Sequence, residues 1–152
     1  MAYWLMKSEP DAFSVDELAA RPRQIEPWSG VRNYQARNFM RQMKLGDQAF
    51  FYHSSCDEVG VVGVMRVVAE TYPDPTQFDP KDHHYDPKST REQPRWDLVD
   101  VKFERKLKRV IGLAELRGHE KKLHGLRLLM TGSRLSVIPV APAHWDYILK
   151  LE

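Results

Sequence analysis

The sequence predicts an α+β fold in which short helices surround a small barrel or a strongly bent sheet. Segments with helical spacing of apolar residues are mixed with segments of alternating apolar and polar residues. Gly60 and Gly63 lie inside a β-branched segment, where glycines indicate bulges or curvature. No internal repeat and no linker interrupts the 152 residues. A single domain over residues 1–152 is therefore expected.

The first two elements are a strand and a short helix. In residues 2–8, Tyr3 and Leu5 alternate with Trp4 and Met6, and Lys7-Ser8 follow at the end, which predicts a strand. Ser14 can cap a helix, and Glu17 three residues later completes a capping box. Because the residue before a proline disfavours helical geometry, this helix should end just before Pro22.

A second helix and two strands are expected in the middle of the chain. Asn33 can cap a helix that runs to about residue 44, with an apolar stripe at helical spacing. Residues 48–53 have the composition of a buried strand. The β-branched segment 59–72 predicts a long strand that follows it.

The C-terminal half begins with a long segment rich in proline. Residues 73–95 contain five prolines and are expected to form a loop, a kind of segment that is often functional. The next expected strand covers residues 96–110. The remaining expected elements are helices over 112–118 and 123–130, a strand over 136–140 and a closing helix over 142–151.

The composition is that of a globular protein rather than a disordered or membrane-spanning chain. It is 42% hydrophobic and 29% charged, and it has no apolar run near the roughly 20 residues that cross a bilayer. Cys56 is the sole cysteine, which excludes an internal disulfide and a thiolate-rich zinc site. With no signal peptide at the start, a cytoplasmic protein of bacterial type is expected, or a nuclear one if the source is eukaryotic.

Charged residues are unevenly distributed, although the net charge is only +2. Acids concentrate in residues 70–100, whereas bases concentrate in residues 30–44 and 101–134. This pattern is compatible with one acidic and one basic face, or with ordinary solvated surface.

The sequence lacks motifs of the common enzyme classes, including the nucleophile elbow, the phosphate-binding loop and the zinc-protease helix motif. His83 and His84 with the nearby acids Asp82 and Asp86 could hold a metal ion. His53 and Cys56 lack an evident orienting acid. We therefore predict a protein that is not an enzyme and has no metal or cofactor.

Trp28 is the most informative residue for function. It is flanked by Pro27, Ser29 and Gly30 in a loop that leads into a helix with two arginines. An aromatic plane beside cations and amides suits a nucleobase on an anionic backbone. Trp96, at the start of a strand, is a second possible pocket residue. Trp4 and Trp145 lie on apolar faces of predicted elements and are expected in the core.

Five segments carry a resemblance to a known family. They are residues 3–10 (YWLMKSEP), 28–38 (WSGVRNYQARN), 46–54 with Gly-Asp and FFYHS, 60–63 (GVVG) and 132–140 (GSRLSVIPV). Together they resemble the EVE domain family, with Ser55 a departure from the family's usual asparagine. The resemblance implies a PUA-like fold, a small curved β-barrel flanked by short helices, related to YTH domains. It also implies binding of nucleic acid through a modified base held in an aromatic pocket.

We expect a flipped base to stack on Trp28, with Trp96 or Tyr52 as the second wall. The residues expected to line the base pocket are Trp28, Ser29, Asn33, Ser8, Glu9, Tyr52, His53 and Trp96. The residues expected to contact phosphates or the nucleic-acid backbone are Lys7, Arg32, Arg37, Arg134 and Ser136.

Some of these residues also have purely structural explanations. Asn33 and Ser8 could serve only as caps, Arg37 could be solvated helix surface, and His53 could be a hydrogen-bonded barrel histidine.

The preferred function is a monomeric, non-enzymatic module that binds a modified base, such as modified cytosine, in DNA or RNA. The alternative is a binder of, or an enzyme acting on, a free nucleotide or similar planar molecule in the same pocket. A third possibility is a protein-interaction adaptor that uses the acidic loop 73–95.

Overall fold

The computed structural model describes all residues 1–152. Its strands are β1 (Tyr3–Ser8), β2 (Ile25–Pro27), β3 (Gln48–His53), β4 (Gly60–Pro73), β5 (Asp97–Gly112) and β6 (Val137–Val140). Its α-helices are α1 (Val15–Ala20), α2 (Tyr34–Gln42), α3 (Leu113–Gly118) and α4 (Pro142–Leu149), and short 3₁₀ turns lie at Pro22–Gln24, Pro75–Phe78 and Arg127–Leu129. No helix is both long and apolar enough to span a membrane.

The six strands form one sheet in the order β2-β5-β4-β3-β1-β6. β1 and β3 are parallel, and the other neighbours are antiparallel. The register between β4 and β5 shifts at four places, which bends these long strands. The predicted α+β class and the curvature are confirmed. The two edge strands β2 and β6 do not pair with each other, so the sheet is strongly curved rather than a closed barrel.

Each face of the sheet has its own hydrophobic core. On the first face, Trp4 and Phe51 pack with residues of α1 and α2. On the second face, Leu5, Phe50 and Trp145 pack with residues of α3 and α4. Trp4 and Trp145 are therefore core residues, as the sequence predicts. Because neighbouring strand residues point to opposite faces, a one-residue change of position decides which core a side chain joins.

The capping predictions are confirmed at both N-terminal helices. Ser14 and Glu17 make the reciprocal bonds of a capping box at α1. The Asn33 side chain accepts a hydrogen bond from the Ala36 amide at the start of α2. α2 ends at Gln42, two residues earlier than predicted, and Met43 is extended. The carboxylate of Asp47 accepts the Lys44 amide just beyond that end, which favours a turn over another helical residue.

Two segments of the C-terminal half differ from the prediction. The helix expected over 123–130 is reduced to the 3₁₀ turn, because Gly125 adopts a φ of +92° that an α-helix does not accept. The segment 73–95 is not an open loop, since Asp74, Gln77 and Ser89 are buried within it. The side chain of Gln77 donates to the carbonyls of Asp74 and Trp96, which holds the two ends of the segment together.

Candidate functional site

A cavity of about 200 Å³ opens at the end of β1, beside β2 and the segment that follows it. The volume is below the roughly 300–1,000 Å³ of sites for drug-sized ligands, so it suits a single small ring system. Its lining residues are Lys7, Ser8, Phe13, Glu26, Pro27, Trp28, Ser29, Gly30, Val31, Arg32 and Ser136. Six of the predicted site residues, Trp28, Ser29, Ser8, Lys7, Arg32 and Ser136, are thus brought together around one opening.

Trp28 forms part of the apolar wall of this cavity and is also a core residue. Only 6% of its surface is exposed. Its ring meets Phe13 edge-on at 6.1 Å between centroids and Phe51 at 5.2 Å. The polar sequence around Trp28 therefore does not reveal its apolar neighbours in the fold, which come from the turn before α1 and from β3. Phe13 also lines the cavity. The sequence did not point to this aromatic side chain.

The polar lining comes from three separate parts of the chain. The Ser8 hydroxyl donates to the Phe13 carbonyl at 2.7 Å, which holds the turn after β1 against the cavity. Glu26 accepts a hydrogen bond from Arg21 through Oε1, while Oε2 has no partner within the chain. Partial burial lowers the pKa of Lys7 from its usual value. Glu26 was missed because β2 is only three residues long and has no recognisable sequence pattern.

Arg32 lines the cavity but is occupied by contacts within the chain. Its guanidinium donates hydrogen bonds to the carbonyls of Val31 and His84, to Asp74 Oδ2 and to Thr76 Oγ1. The guanidinium ties the segment 73–95 to the cavity rim, and its expected contact with phosphate stays a prediction.

Asp74 is the centre of that attachment. It is completely buried and accepts hydrogen bonds from the Gly30 amide at 2.8 Å, from Arg32, and from the amide and hydroxyl of Thr76. Burial by itself would raise the pKa of Asp74. The bonds from Thr76, Gly30 and Arg32 outweigh burial and hold the pKa below its usual value. An ionised carboxylate therefore fixes the backbone at Gly30 beside Trp28.

Trp96 and Arg37 lie in a neighbouring cluster rather than on the cavity. Trp96 stacks on Tyr34 at 4.7 Å, and its Nε1 donates to Asp86. The Arg37 guanidinium lies 4.7 Å from the Tyr34 ring and donates to the Arg95 carbonyl. Trp96 was expected to be a pocket wall, but its ring is used in stacking that holds the 73–95 segment against α2. The structure places Trp96 outside the first cavity, and the expected phosphate contact of Arg37 stays a prediction.

Tyr52, His53 and Glu9 do not reach the cavity either. Tyr52 belongs to the core on the opposite face of the sheet, where burial raises its pKa to about 12. His53 Nε2 accepts the Val15 amide at 3.1 Å, and burial lowers the pKa of its imidazole, so it serves as a neutral acceptor at the start of α1. Glu9 is exposed, and its carbonyl accepts from the Ala12 and Phe13 amides.

Two further predicted residues, Asn33 and Arg134, line a second cavity next to the first. Asn33 is on its wall through the same side chain that caps α2. This second cavity lies between the start of α2 and residues 127–135 and has a volume of about 360 Å³. Of the predicted site residues, six therefore line the first cavity, two line the second, and the others line neither.

One group of side chains could hold a metal ion. The ligand atoms of Asp82, His83 and His84 lie within 4.8 Å of one another. The His84 ring packs against Gly30, where an added Cβ would lie 2.8 Å from the imidazole. The imidazole thus contacts the rim of the first cavity, and Gly30 permits that close approach.

The curved six-stranded sheet thus carries a cavity with aromatic and polar lining at the end of β1. The EVE domain family matches residues 2–151 of the chain. The chain belongs to the EVE domain family. The family membership implied by the sequence resemblance is thereby confirmed.

Similar proteins extend this assignment. Human thymocyte nuclear protein 1 is 48% identical over 166 residues, which cover 99% of this chain and 74% of that protein. The crystal structure of human THYN1 in complex with DNA containing 5-methylcytosine has 46% identity and a TM-score of 0.95, with 99% of this chain and 97% of that chain covered. A protein of Pseudomonas putida has 48% identity and a TM-score of 0.94, with 99% of both chains covered.

The YTH domain of Mmi1 has the same general fold. Its TM-score is 0.54 at 10% sequence identity, with 99% of this chain and 74% of that chain covered. At this identity the likeness concerns the fold alone. It confirms the predicted structural relation between this chain and YTH domains.

Proposed function

We propose that this chain is a non-enzymatic DNA-binding domain that takes a modified base, in the first instance 5-methylcytosine, into the cavity beside Trp28. The observation that carries the proposal is the 46% identical human structure that contains 5-methylcytosine DNA and covers 99% of this chain. The aromatic and polar lining of the cavity supports the same ligand chemistry.

A base can enter the cavity only after it leaves the stack of its own strand, which costs a few kcal/mol. Contact with aromatic side chains offsets part of this cost, at about 1–3 kcal/mol per base. Phe13 and Trp28 supply that contact from adjacent walls. Their mutual edge-on packing holds both rings in place before the base arrives.

Hydrogen bonds to the base edge would come from the polar side chains that line the cavity. The unpartnered Oε2 of Glu26 suits the exocyclic amino group of cytosine, a donor that carboxylates accept well. Ser29 and Ser136 add hydroxyl groups at the opening. The 5-methyl group would gain contact with apolar lining, which amounts to about 1–3 kcal/mol for one methyl. A preference for the methylated base of roughly tenfold or somewhat more is therefore expected.

The test measures fluorescence anisotropy of a labelled oligonucleotide that contains one cytosine or one 5-methylcytosine. Glu26→Gln keeps the side-chain shape but removes the charge, and its affinity for the methylated oligonucleotide should fall roughly tenfold. Glu58→Gln, on an exposed turn outside the cavity, is the matched control and should bind as the parent does. Unchanged binding by Glu26→Gln would contradict the assignment of the cavity.

The same titrations separate the alternatives. Binding of free 5-methylcytidine without binding of any oligonucleotide would favour a small-molecule function in this cavity. A matched RNA oligonucleotide tests whether RNA is also a partner. The curated vertebrate relatives carry the word nuclear in their name, whereas the cytoplasmic location and the monomeric state expected for this chain stay predictions.

A further inference from the structure

The second cavity adjoins the first through two shared segments of chain. Val31 and Arg32 line the first cavity, and Asn33 lines the second. On the other side, Arg134 and Leu135 line the second cavity and the next residue lines the first. A nucleic-acid strand whose base enters the first cavity would therefore continue past the second cavity.

The second cavity has a positive lining. Its nine lining residues include two arginines, Arg127 and Arg134, and no acid. Neither guanidinium makes an ion pair or a hydrogen bond within the chain. The guanidinium carbon of Arg127 lies 5.4 Å from the centroid of the Phe39 ring, and its N–H groups make no hydrogen bond within the chain.

These two arginines differ from most others in the protein. Seven arginines lie within 4.0 Å of a carboxylate, namely Arg21, Arg32, Arg41, Arg66, Arg95, Arg105 and Arg109. Both arginines of β5, Arg105 and Arg109, are thus paired. Two unpaired guanidiniums on one acid-free cavity form a site that can attract an anion.

The remaining lining supplies neutral donors of the kind that contact phosphate. They are the side chains of Asn33, Gln35, Thr131 and Ser133. Asn33 uses its Oδ1 to cap α2, so its amide hydrogens are free to donate. Gly132 has a φ of +75°, which turns the backbone at the rim of the cavity.

We propose that this second cavity binds the phosphodiester backbone next to the base held in the first cavity, with Arg127 and Arg134 as its cationic contacts. The inference rests on the proposed base-binding function, because it requires the strand to cross the shared wall. It assigns the contacts with the phosphodiester backbone to residues 127–135 rather than to the arginines of α2 or β5.

The test compares two double variants of equal charge. Arg127→Gln with Arg134→Gln removes the proposed contacts, whereas Arg23→Gln with Arg117→Gln removes two exposed arginines outside both cavities. Affinity for the 5-methylcytosine oligonucleotide is measured at several salt concentrations. In the first variant, the negative slope of log affinity against log salt concentration should become shallower by about 0.7–0.9 for each phosphate that is no longer neutralised. The control should keep the parental slope.

The ratio of affinities for methylated and unmethylated oligonucleotides distinguishes this proposal from the base-binding one. That ratio should stay at the parental value in the first double variant, since the base cavity is intact. Equal slopes in the two double variants, with the ratio preserved, would overturn the backbone site alone. Absence of any methyl preference in the parent protein would instead overturn the base-binding function. Thermal unfolding of both variants verifies that each is folded.

Discussion

At the scale of single residues, Trp28 combines two roles. It contributes to the core with Phe13 and Phe51, and its remaining surface faces the cavity. A residue in this position cannot be removed without an effect on folding. Charge removal at Glu26 is the cleaner probe of ligand binding, because Glu26 lies on the short edge strand β2 and outside both hydrophobic cores.

Trp28→Ala should lower the free energy of unfolding by about 3–5 kcal/mol, because it leaves a cavity between two aromatic rings. Tyr34→Ala is the matched control, since Tyr34 is aromatic but 49% exposed. Its loss of stacking on Trp96 should cost no more than about 1.5 kcal/mol. Urea denaturation of the two variants measures both values. Similar small losses in the two would contradict a core role for Trp28.

At the scale of elements, the segment 73–95 is a strap that stabilises the cavity rim. Asp74 joins its start to Gly30 and Arg32. Trp96 closes its end by stacking on α2 through Tyr34. The sequence predicted a loop here because of its five prolines, and it could not indicate these contacts, which join residues more than 40 positions apart.

Asp74→Ala should lower the free energy of unfolding by about 3–5 kcal/mol near neutral pH, because it leaves Arg32 and the Gly30 amide without their buried partner. Asp79→Ala, an exposed acid in the same segment, is the control and should change stability little. Denaturant unfolding measures the difference. Equal effects of the two substitutions would refute the strap.

The lowered pKa of Asp74 also makes the effect of Asp74→Ala on the free energy of unfolding depend on pH. Its contribution to stability is complete above the unfolded pKa of about 4 and is lost as pH falls through the lower folded pKa. The stability difference between the parent protein and Asp74→Ala should therefore shrink in that acidic range. The same denaturation series, extended to low pH, measures this change, and a difference that stays constant would contradict it.

At the scale of the whole molecule, the curvature of the sheet brings the cavity residues together. β4 and β5 bend along their length, and their backbones approach closely where Gly60 pairs with Gly112. A Cβ on Gly60 would lie 2.4 Å from the Ile111 carbonyl oxygen and 2.8 Å from the Gly112 Cα. Both contacts are with backbone, so no side-chain movement can relieve them.

Gly60→Ala should therefore destabilise the protein by about 1–3 kcal/mol or more, through forced separation of β4 from β5. Gly118→Ala at the end of α3 is the control, because nothing lies within 4 Å of its added Cβ. The control should be neutral or stabilising by up to about 1 kcal/mol. Melting temperatures of the two variants compare these effects, and an unchanged Gly60→Ala protein would contradict the close approach.

The sequence by itself determined the family, the α+β class, the capped helices α1 and α2, and most strand positions. These features depend on neighbours within a few residues, such as Ser14 with Glu17, or on motifs that are contiguous in the chain. It also placed Trp28, Ser29 and Ser8 together on one cavity, since all three lie in those motifs.

Only the tertiary structure decided which of the remaining side chains face the cavity. Strand residues alternate between faces, so the register of β3 puts Tyr52 in the opposite core, and the pairing of β2 with β5 brings Glu26 to the cavity. The partners of Arg32 lie more than 40 residues away from it in the sequence. Such long-range partners leave no local pattern in the sequence, and the physical choice among them is made by packing.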